Sequence, residues 1–227
     1  MKTIFIRLLA VALSLSALPS NAAPIDLSSF SVIQFSGSQP ENANWVLGAG
    51  NTRISQVNNN NYSLYISDFD ASNSRFEWNG GAISGDDDAI GFVWGFQDTD
   101  NYFQFFWTGQ NNATAASIIK VENGVWTTLS SGPPQWGLNV NYSFLLDFLP
   151  TQSIIEIATA GNPIVDMQIT DSSWTVGKFG FLTLSQAGTF NSLEITPLAP
   201  PGVPVPGSIQ LMLLGLVALG FRKHIRT

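Results

Sequence analysis

Seven of the chain's sixteen acidic residues fall in three short groups whose spacing suits work on a cation. Asp86, Asp87 and Asp88 stand in a row, Asp68 and Asp70 flank Phe69, and Asp98 and Asp100 flank Thr99. Hard divalent cations gather six or more oxygens from clustered carboxylates and loop carbonyls, so runs of this kind are the pattern to look for. The first group directly precedes the apolar run 89–96, and unpaired carboxylates cannot follow that run into a core, which puts them at a rim. Two readings follow. One is a solvated acidic rim. The other is a metal site built by Asp86, Asp87 and Asp88 and completed by Asp68 and Asp70, which share a face at period two. Asp98 and Asp100 sit in a turn at the opposite end of the strand and read as solvated turn residues.

Other chemistries are narrowed by what the chain lacks. It has no cysteine, and its one histidine is His224, close to the C-terminus. Thiol nucleophiles, zinc knuckles, serine–histidine catalysis and histidine-held metals are therefore absent from its body. Jelly-roll glycosidases place two carboxylates about the glycosidic bond, often in a Glu-x-Asp-x-x-Glu run. No such run occurs; Glu77, Glu122, Glu156 and Glu194 each stand alone in separate segments. Seven tryptophans offer stacking surfaces for sugar rings, of which Trp126, Trp136 and Trp174 lie in or beside turns, while Trp94 and Trp107 alternate with core residues.

The elements that must position these residues are strands. Over 89–96 the side chains alternate, with Ile90, Phe92, Trp94 and Phe96 on one face and Ala89, Gly91, Val93 and Gly95 on the other. A second strand carries Phe103, Phe105 and Trp107, and residues 97–101 between them are turn formers, so the pair reads as a hairpin. The small-residue face suggests that another element or a ligand comes close to the sheet. Further strands are expected at 44–47, 52–57, 63–66, 75–78, 117–122, 125–129, 142–149, 153–158, 164–169, 179–184 and 189–195, with Asn123-Gly124 the strongest hairpin signal. So many short strands with turns between them predict an all-β antiparallel sandwich, most simply a jelly roll, over residues 23–196.

Both ends differ from this body. Lys2 and Arg7, an apolar stretch, and Pro19 to Ala23 make residues 1–22 a signal peptide cut after Ala22. Residues 197–207 are a proline-rich linker, and 208–221 an apolar run followed by the basic tail Arg222, Lys223, His224 and Arg226. A helix of 14 residues spans roughly 21 Å, short of a hydrocarbon core of ~30 Å, and would cross by thinning the bilayer. Its basic end would stay in the cytoplasm. All sixteen acids lie in the body, against four basic residues, Arg53, Arg75, Lys120 and Lys178, for a net charge of −12. Such a surface repels phosphate backbones, so nucleic acid is not a partner. It draws divalent cations.

Two resemblances add to this reading. The tail, with Val203-Pro204-Val205-Pro206, a short apolar helix and a basic end, resembles the PEP-CTERM sorting signal of Gram-negative bacteria, with valine in the place of the usual glutamate. That implies processing by an exosortase and delivery to the cell surface or extracellular matrix, after a transient stay in the inner membrane. A GPI signal is the alternative, and the sequons at Asn61, Asn112 and Asn141 would suit it, but GPI tails end apolar. The body, through Asn44-Trp45-Val46, the run from Gly85 to Phe96, Tyr102 to Trp107, and the closing segments around Gly177-Lys178-Phe179-Gly180-Phe181 and Phe190-Asn191-Ser192-Leu193-Glu194, is similar to the thrombospondin C-terminal domain. That family is a lectin-like jelly roll that binds calcium and works in matrix and cell-surface contacts. The resemblance therefore implies calcium at Asp86, Asp87 and Asp88. The aspartate-rich repeats that precede the domain in animal thrombospondins are missing.

Together these features predict an exported, surface-sorted, non-catalytic calcium-binding module that contacts exopolysaccharide or a matrix protein. A purely structural adhesion protein and a polysaccharide-active hydrolase or lyase are the alternatives.

Overall fold

The computed structural model describes residues 23–37, 42–58, 61–110 and 114–198. The signal peptide, the sorting motif Val203, Pro204, Val205 and Pro206, and the apolar run 208–221 lie outside the described residues. All strands fall within a unit that ends at Pro197.

Among the described residues fourteen strands follow one another: β1 (Ser31–Gln34), β2 (Trp45–Leu47), β3 (Arg53–Gln56), β4 (Ser63–Ala71), β5 (Ser74–Ala82), β6 (Ala89–Asp98), β7 (Asn101–Thr108), β8 (Ala116–Glu122), β9 (Val125–Gly132), β10 (Tyr142–Phe148), β11 (Ser153–Thr159), β12 (Asn162–Ile169), β13 (Gly177–Leu184) and β14 (Gly188–Pro197). They form two seven-stranded antiparallel sheets. The first has the order β1-β4-β13-β6-β7-β8-β9 and the second β12-β11-β10-β5-β14-β3-β2. The all-β sandwich expected from the alternation is therefore the observed architecture. Asn123 and Gly124 both take positive φ, as a two-residue hairpin turn requires, and close β8 onto β9.

Aromatic side chains join the sheets. Trp78 of β5 stacks on Phe144 of β10 (5.1 Å, 2°) and meets Phe92 of β6 edge-on at 4.8 Å. Phe76 stacks on Phe179 and Phe190 on Phe181, each pair crossing from one sheet to the other. Contacts of this kind contribute about 0.5–1.5 kcal/mol each beyond the area they bury. Trp94 and Trp107 lie in this core, as the alternation implies.

Phe96 does not. Gly95 takes φ +58, and the β6–β7 register slips between Trp94 and Asp98. This bulge turns Phe96 onto the outer face of the first sheet, beside Tyr102 and Val93. A one-residue bulge reverses the alternation after it, and Gly is the residue that allows it. The small-residue face is approached closely by a neighbouring strand. A Cβ at Gly91 would sit 2.0 Å from the Phe105 carbonyl oxygen and 3.6 Å from Leu182.

That outer face carries a second apolar cluster with a polar centre. The Tyr62 hydroxyl donates to Gln104 Oε1 (2.5 Å) and lies 3.2 Å from the Tyr102 hydroxyl. Burial pushes Tyr102 up to about 12, partly offset by the Tyr62 bond, and it lifts Tyr62 well above an ordinary phenol. A raised phenol stabilises the fold fully below the unfolded value of 10.0 and loses that contribution as pH rises through the folded value. Stability should therefore hold to about pH 10 and fall between there and pH 12. Tyrosinate absorbance and circular dichroism followed together should show these two phenols ionising only as the fold is lost, and ionisation ahead of unfolding would contradict the buried pair.

Candidate functional site

The structure gathers carboxylates that are far apart in the sequence. On the outer face of the second sheet Glu77 of β5 stands directly opposite Glu194 of β14. On its other side it faces Leu145 of β10, which in turn faces Glu156 of β11, and Glu156 faces Asp166 of β12. These residues form one row across five strands, at about 4.8 Å per strand. Glu77, Glu156 and Glu194 line an open cleft of about 380 Å³ with Asn79, Ser143, Leu145 and Ala158. The Ser143 hydroxyl donates to Asn79 Oδ1 at 3.1 Å. One step along the strands, Arg75 closes a fork on Asp147, with Nε to Oδ1 and Nη2 to Oδ2 both at 2.7 Å. That bond holds the guanidinium charged even more firmly than usual, and Glu77 and Glu156 add to the effect. Arg75 is thus committed to Asp147, and the row keeps a surplus of negative charge. Like charges directly opposite on neighbouring strands oppose folding, so the row has a cost in stability.

No sequence spacing pointed to this cleft. Each glutamate is solitary in its own segment, and only the strand order β11-β10-β5-β14 brings them together. The signal available was parity alone: Glu77 and Glu156 alternate with the core residues Phe76, Trp78, Ile155 and Ile157, which fixes the outward face.

The aspartates expected to build one site are divided. Asp86, Asp87 and Asp88 precede β6, at the end where Ala89 pairs with Leu184. Asp70 pairs with Lys178, and Lys178 with Phe96, at the far end of the same sheet. Seven residues of β6 separate the two levels, roughly 20 Å at 3.3 Å per residue. Asp68 lies near Asp70 in an irregular part of β4 and accepts a bond from the Ser29 hydroxyl at 3.1 Å. Asp68 and Asp70 therefore do not complete a site with 86–88. Among the described residues, no three His, Cys, Asp or Glu side chains are grouped to hold a metal ion. Asp86 Oδ1 accepts from the Asp87 N–H (2.9 Å), and the Asp87 carbonyl accepts from Gly109 (3.0 Å). Asp88 is raised above an ordinary carboxyl by burial and by the charges of Asp86 and Asp87. Asp98 Oδ1 accepts from the Asp100 N–H and from Asn101 Nδ2, both 2.8 Å, so it caps the β6–β7 turn as expected.

The three turn tryptophans separate clearly. Trp136 is buried, donating to the Trp107 carbonyl at 3.0 Å. Trp174 packs edge-on against Phe103, with Lys120 over its ring at 5.2 Å. Trp126 on β9 is half exposed, in T-shaped contact with Tyr62 and Phe106.

With this geometry in view, solved structures identify the architecture. The carbohydrate-binding module CBM66 from Bacillus subtilis superposes with a TM-score of 0.57 at 14% identity, covering 77% of this chain and 96% of that one. The exoplasmic/lumenal domain of VIP36, in its Ca2+/Man3GlcNAc-bound form, gives 0.58 at 11% identity over 81% of this chain and 90% of that one. Peanut lectin gives 0.50 at 9% identity over 74% and 97%. The fold is lectin-like. No family model matches the chain, and no curated protein does. The thrombospondin and PEP-CTERM resemblances thus rest on the residues that carry them.

Proposed function

We propose that the chain is a non-catalytic glycan-binding module that uses the outer face of the second sheet. The observation that carries this reading is the cleft itself. It offers carboxylate, amide and hydroxyl groups on one face, with the small apolar surface of Leu145 and Ala158 among them. Charged acceptors form strong hydrogen bonds to sugar hydroxyls or ammonium groups, and an apolar patch suits the C–H face of a pyranose. The surplus negative charge of Glu77, Glu156 and Glu194 repels uronates and sulfates, so the ligand is a neutral or amine-bearing polysaccharide. Titration of the body (residues 23–198) with neutral, amine-bearing and uronate-containing glycans tests this. Binding of the first two classes and rejection of the third is the expected result, and equal binding of uronates would contradict it. Neighbours described as a carbohydrate-binding module and as a mannose-bound domain give the reading support at the level of fold.

Export and surface sorting through the 203–206 motif by an exosortase belong to the same proposal, resting on the order of linker, apolar run and basic end in the sequence. The surface or extracellular matrix of a Gram-negative cell is then the place of action. Replacing Pro204 and Pro206 should shift the protein from the extracellular to the membrane fraction.

Calcium at the 86–88 loop is the remaining part. Two carboxylates and the loop carbonyls would hold it, without Asp68 or Asp70. The support is the clustering of three carboxylates in this loop, where burial first and then the charges of Asp86 and Asp87 raise Asp88. A bound cation would relieve the repulsion. A raised carboxyl burdens the folded state above its folded value, and the burden lifts as pH falls toward 3.8. Asp88→Asn should therefore raise Tm at neutral pH in chelator, by an amount that shrinks on acidification. Calcium should raise the Tm of the parent protein but not of this variant. A parent Tm indifferent to calcium removes this part and leaves the cleft untouched.

A hydrolase is the second reading, favoured by one observation. Glu77 and Glu194 face each other across neighbouring strands on the cleft, and a retaining glycosidase needs two carboxyls ~5–5.5 Å apart, a span within the reach of two such opposed side chains.

A further inference from the structure

A β-sandwich has four sheet edges, each a row of unpaired backbone donors and acceptors that invites another strand. Here three are blunted. β1 has four residues and β2 three, and β12 carries Pro163 and Asp166. The fourth edge, β9, is different. Its eight residues, Val125 to Gly132, contain no charge and no proline, and nearly all are exposed, with Val125 at 64% and Trp126 at 49%. Among the described residues no strand pairs with it on its far side. Its one irregularity is a register shift opposite Ile118 and Ile119, which falls beyond Thr128.

We propose that β9 is the pairing edge for a second copy of this chain, joined antiparallel about a two-fold axis into a continuous sheet. The backbone phase fits. Glu122 and Val125 close the two-residue turn, so the N–H and C=O of Val125 and Thr127 point to β8, and those of Trp126 and Thr128 point outward. A two-fold axis at Thr127 sets Trp126 of one copy opposite Thr128 of the other, twice, and every outward group of these residues is then paired. The side chains match in the same register. Trp126 meets threonine and Thr127 meets its own symmetry mate, all within the regular stretch that ends before the bulged Leu129. Aromatic–β-branched and threonine–threonine neighbours are favourable cross-strand pairs. A strand read in both directions must complement itself, and Trp126-Thr127-Thr128 does. Two bodies of −12 repel at long range, while the joining strands are neutral, so salt should strengthen the dimer. β9 lies on the other sheet from the glutamate cleft, and neither proposal depends on the other.

The test uses sedimentation equilibrium of the body, whose sheets and core are complete within residues 23–198. A monomer–dimer equilibrium that tightens with sodium chloride is expected. Thr127→Lys places two ammonium groups face to face at the axis and should leave a monomer with unchanged Tm. Thr128→Pro removes an outward N–H at an edge position that tolerates proline, and should do the same. Because the chain has no cysteine, Thr127→Cys gives a unique thiol. Opposite residues at a non-hydrogen-bonded position have Cα atoms about 4.5 Å apart, within disulfide range. Mild oxidation should cross-link this variant much faster than Ser172→Cys. A protein that stays monomeric at every loading, or cross-links no faster at Thr127, overturns the proposal.

Discussion

Trp78→Ala should lower the stability of the body by about 3–4 kcal/mol, toward the lower part of the range for a buried large aromatic. Trp78 is 2% exposed and touches Phe92, Phe144, Phe179 and Phe181, so its removal leaves a cavity bounded by rings from both sheets. Rings held by separate strands cannot close over such a space without shifting the sheets. One feature moderates the loss. Among the described residues Trp78 Nε1 has no hydrogen-bond partner, and deleting an unpaired buried donor returns about 1 kcal/mol. Trp94 shows the converse, because its Nε1 donates to the buried Ser153 hydroxyl at 2.9 Å. Phenylalanine at 78 should then be nearly silent, whereas Trp94→Phe should cost roughly 1–3 kcal/mol by orphaning Ser153. Urea unfolding of the four proteins reads these values directly. With a total stability of about 5–15 kcal/mol, Trp78→Ala should also drop Tm by roughly 10 °C. A Trp78→Phe variant as damaged as Trp94→Phe would mean that the Trp78 indole does have a partner.

The core could be read from the sequence because strand alternation is a local property. Ile90, Phe92 and Trp94 were placed by counting in twos, and Asn123-Gly124 by its turn chemistry. The count failed at Phe96 because a bulge breaks the period, and Gly95 inside the aromatic run was its only trace. β4 ran past its expected end at Ile66 through the two aspartates to Ala71, since its irregular pairing with β13 lets exposed carboxylates sit in a strand. β1 escaped notice altogether, being a four-residue edge with no buried position of its own. The site was least legible. Adjacent aspartates look like a site in a string of letters, but a site is made across strands, and strand order is set by the whole chain. Asp68 and Asp70 share a face with each other yet stand a strand's length from 86–88. Glu77, Glu156 and Glu194, separated by more than a hundred residues from first to last, share one cleft.

The cost built into that cleft gives the sharpest functional test. Glu77→Gln and Glu194→Gln each remove one charge from a directly opposed like pair, so each should stabilise the fold by a few tenths of a kcal/mol. The two gains should not add, since either change relieves the same repulsion. Binding should move the opposite way. A hydrogen bond to a charged group contributes about 1.5–3 kcal/mol, and 1.4 kcal/mol is tenfold in affinity, so each variant should bind an amine-bearing glycan roughly tenfold to a hundredfold more weakly. Variants that gain stability while losing affinity mark residues kept for the ligand and not for the fold. The same pair decides between binding and hydrolysis. If Glu77 and Glu194 are the two carboxyls of a glycosidase, the parent protein releases reducing ends and both variants stop doing so. A parent that binds without releasing any is a binding module. Unchanged affinity in both variants would instead move the ligand off this face of the sheet.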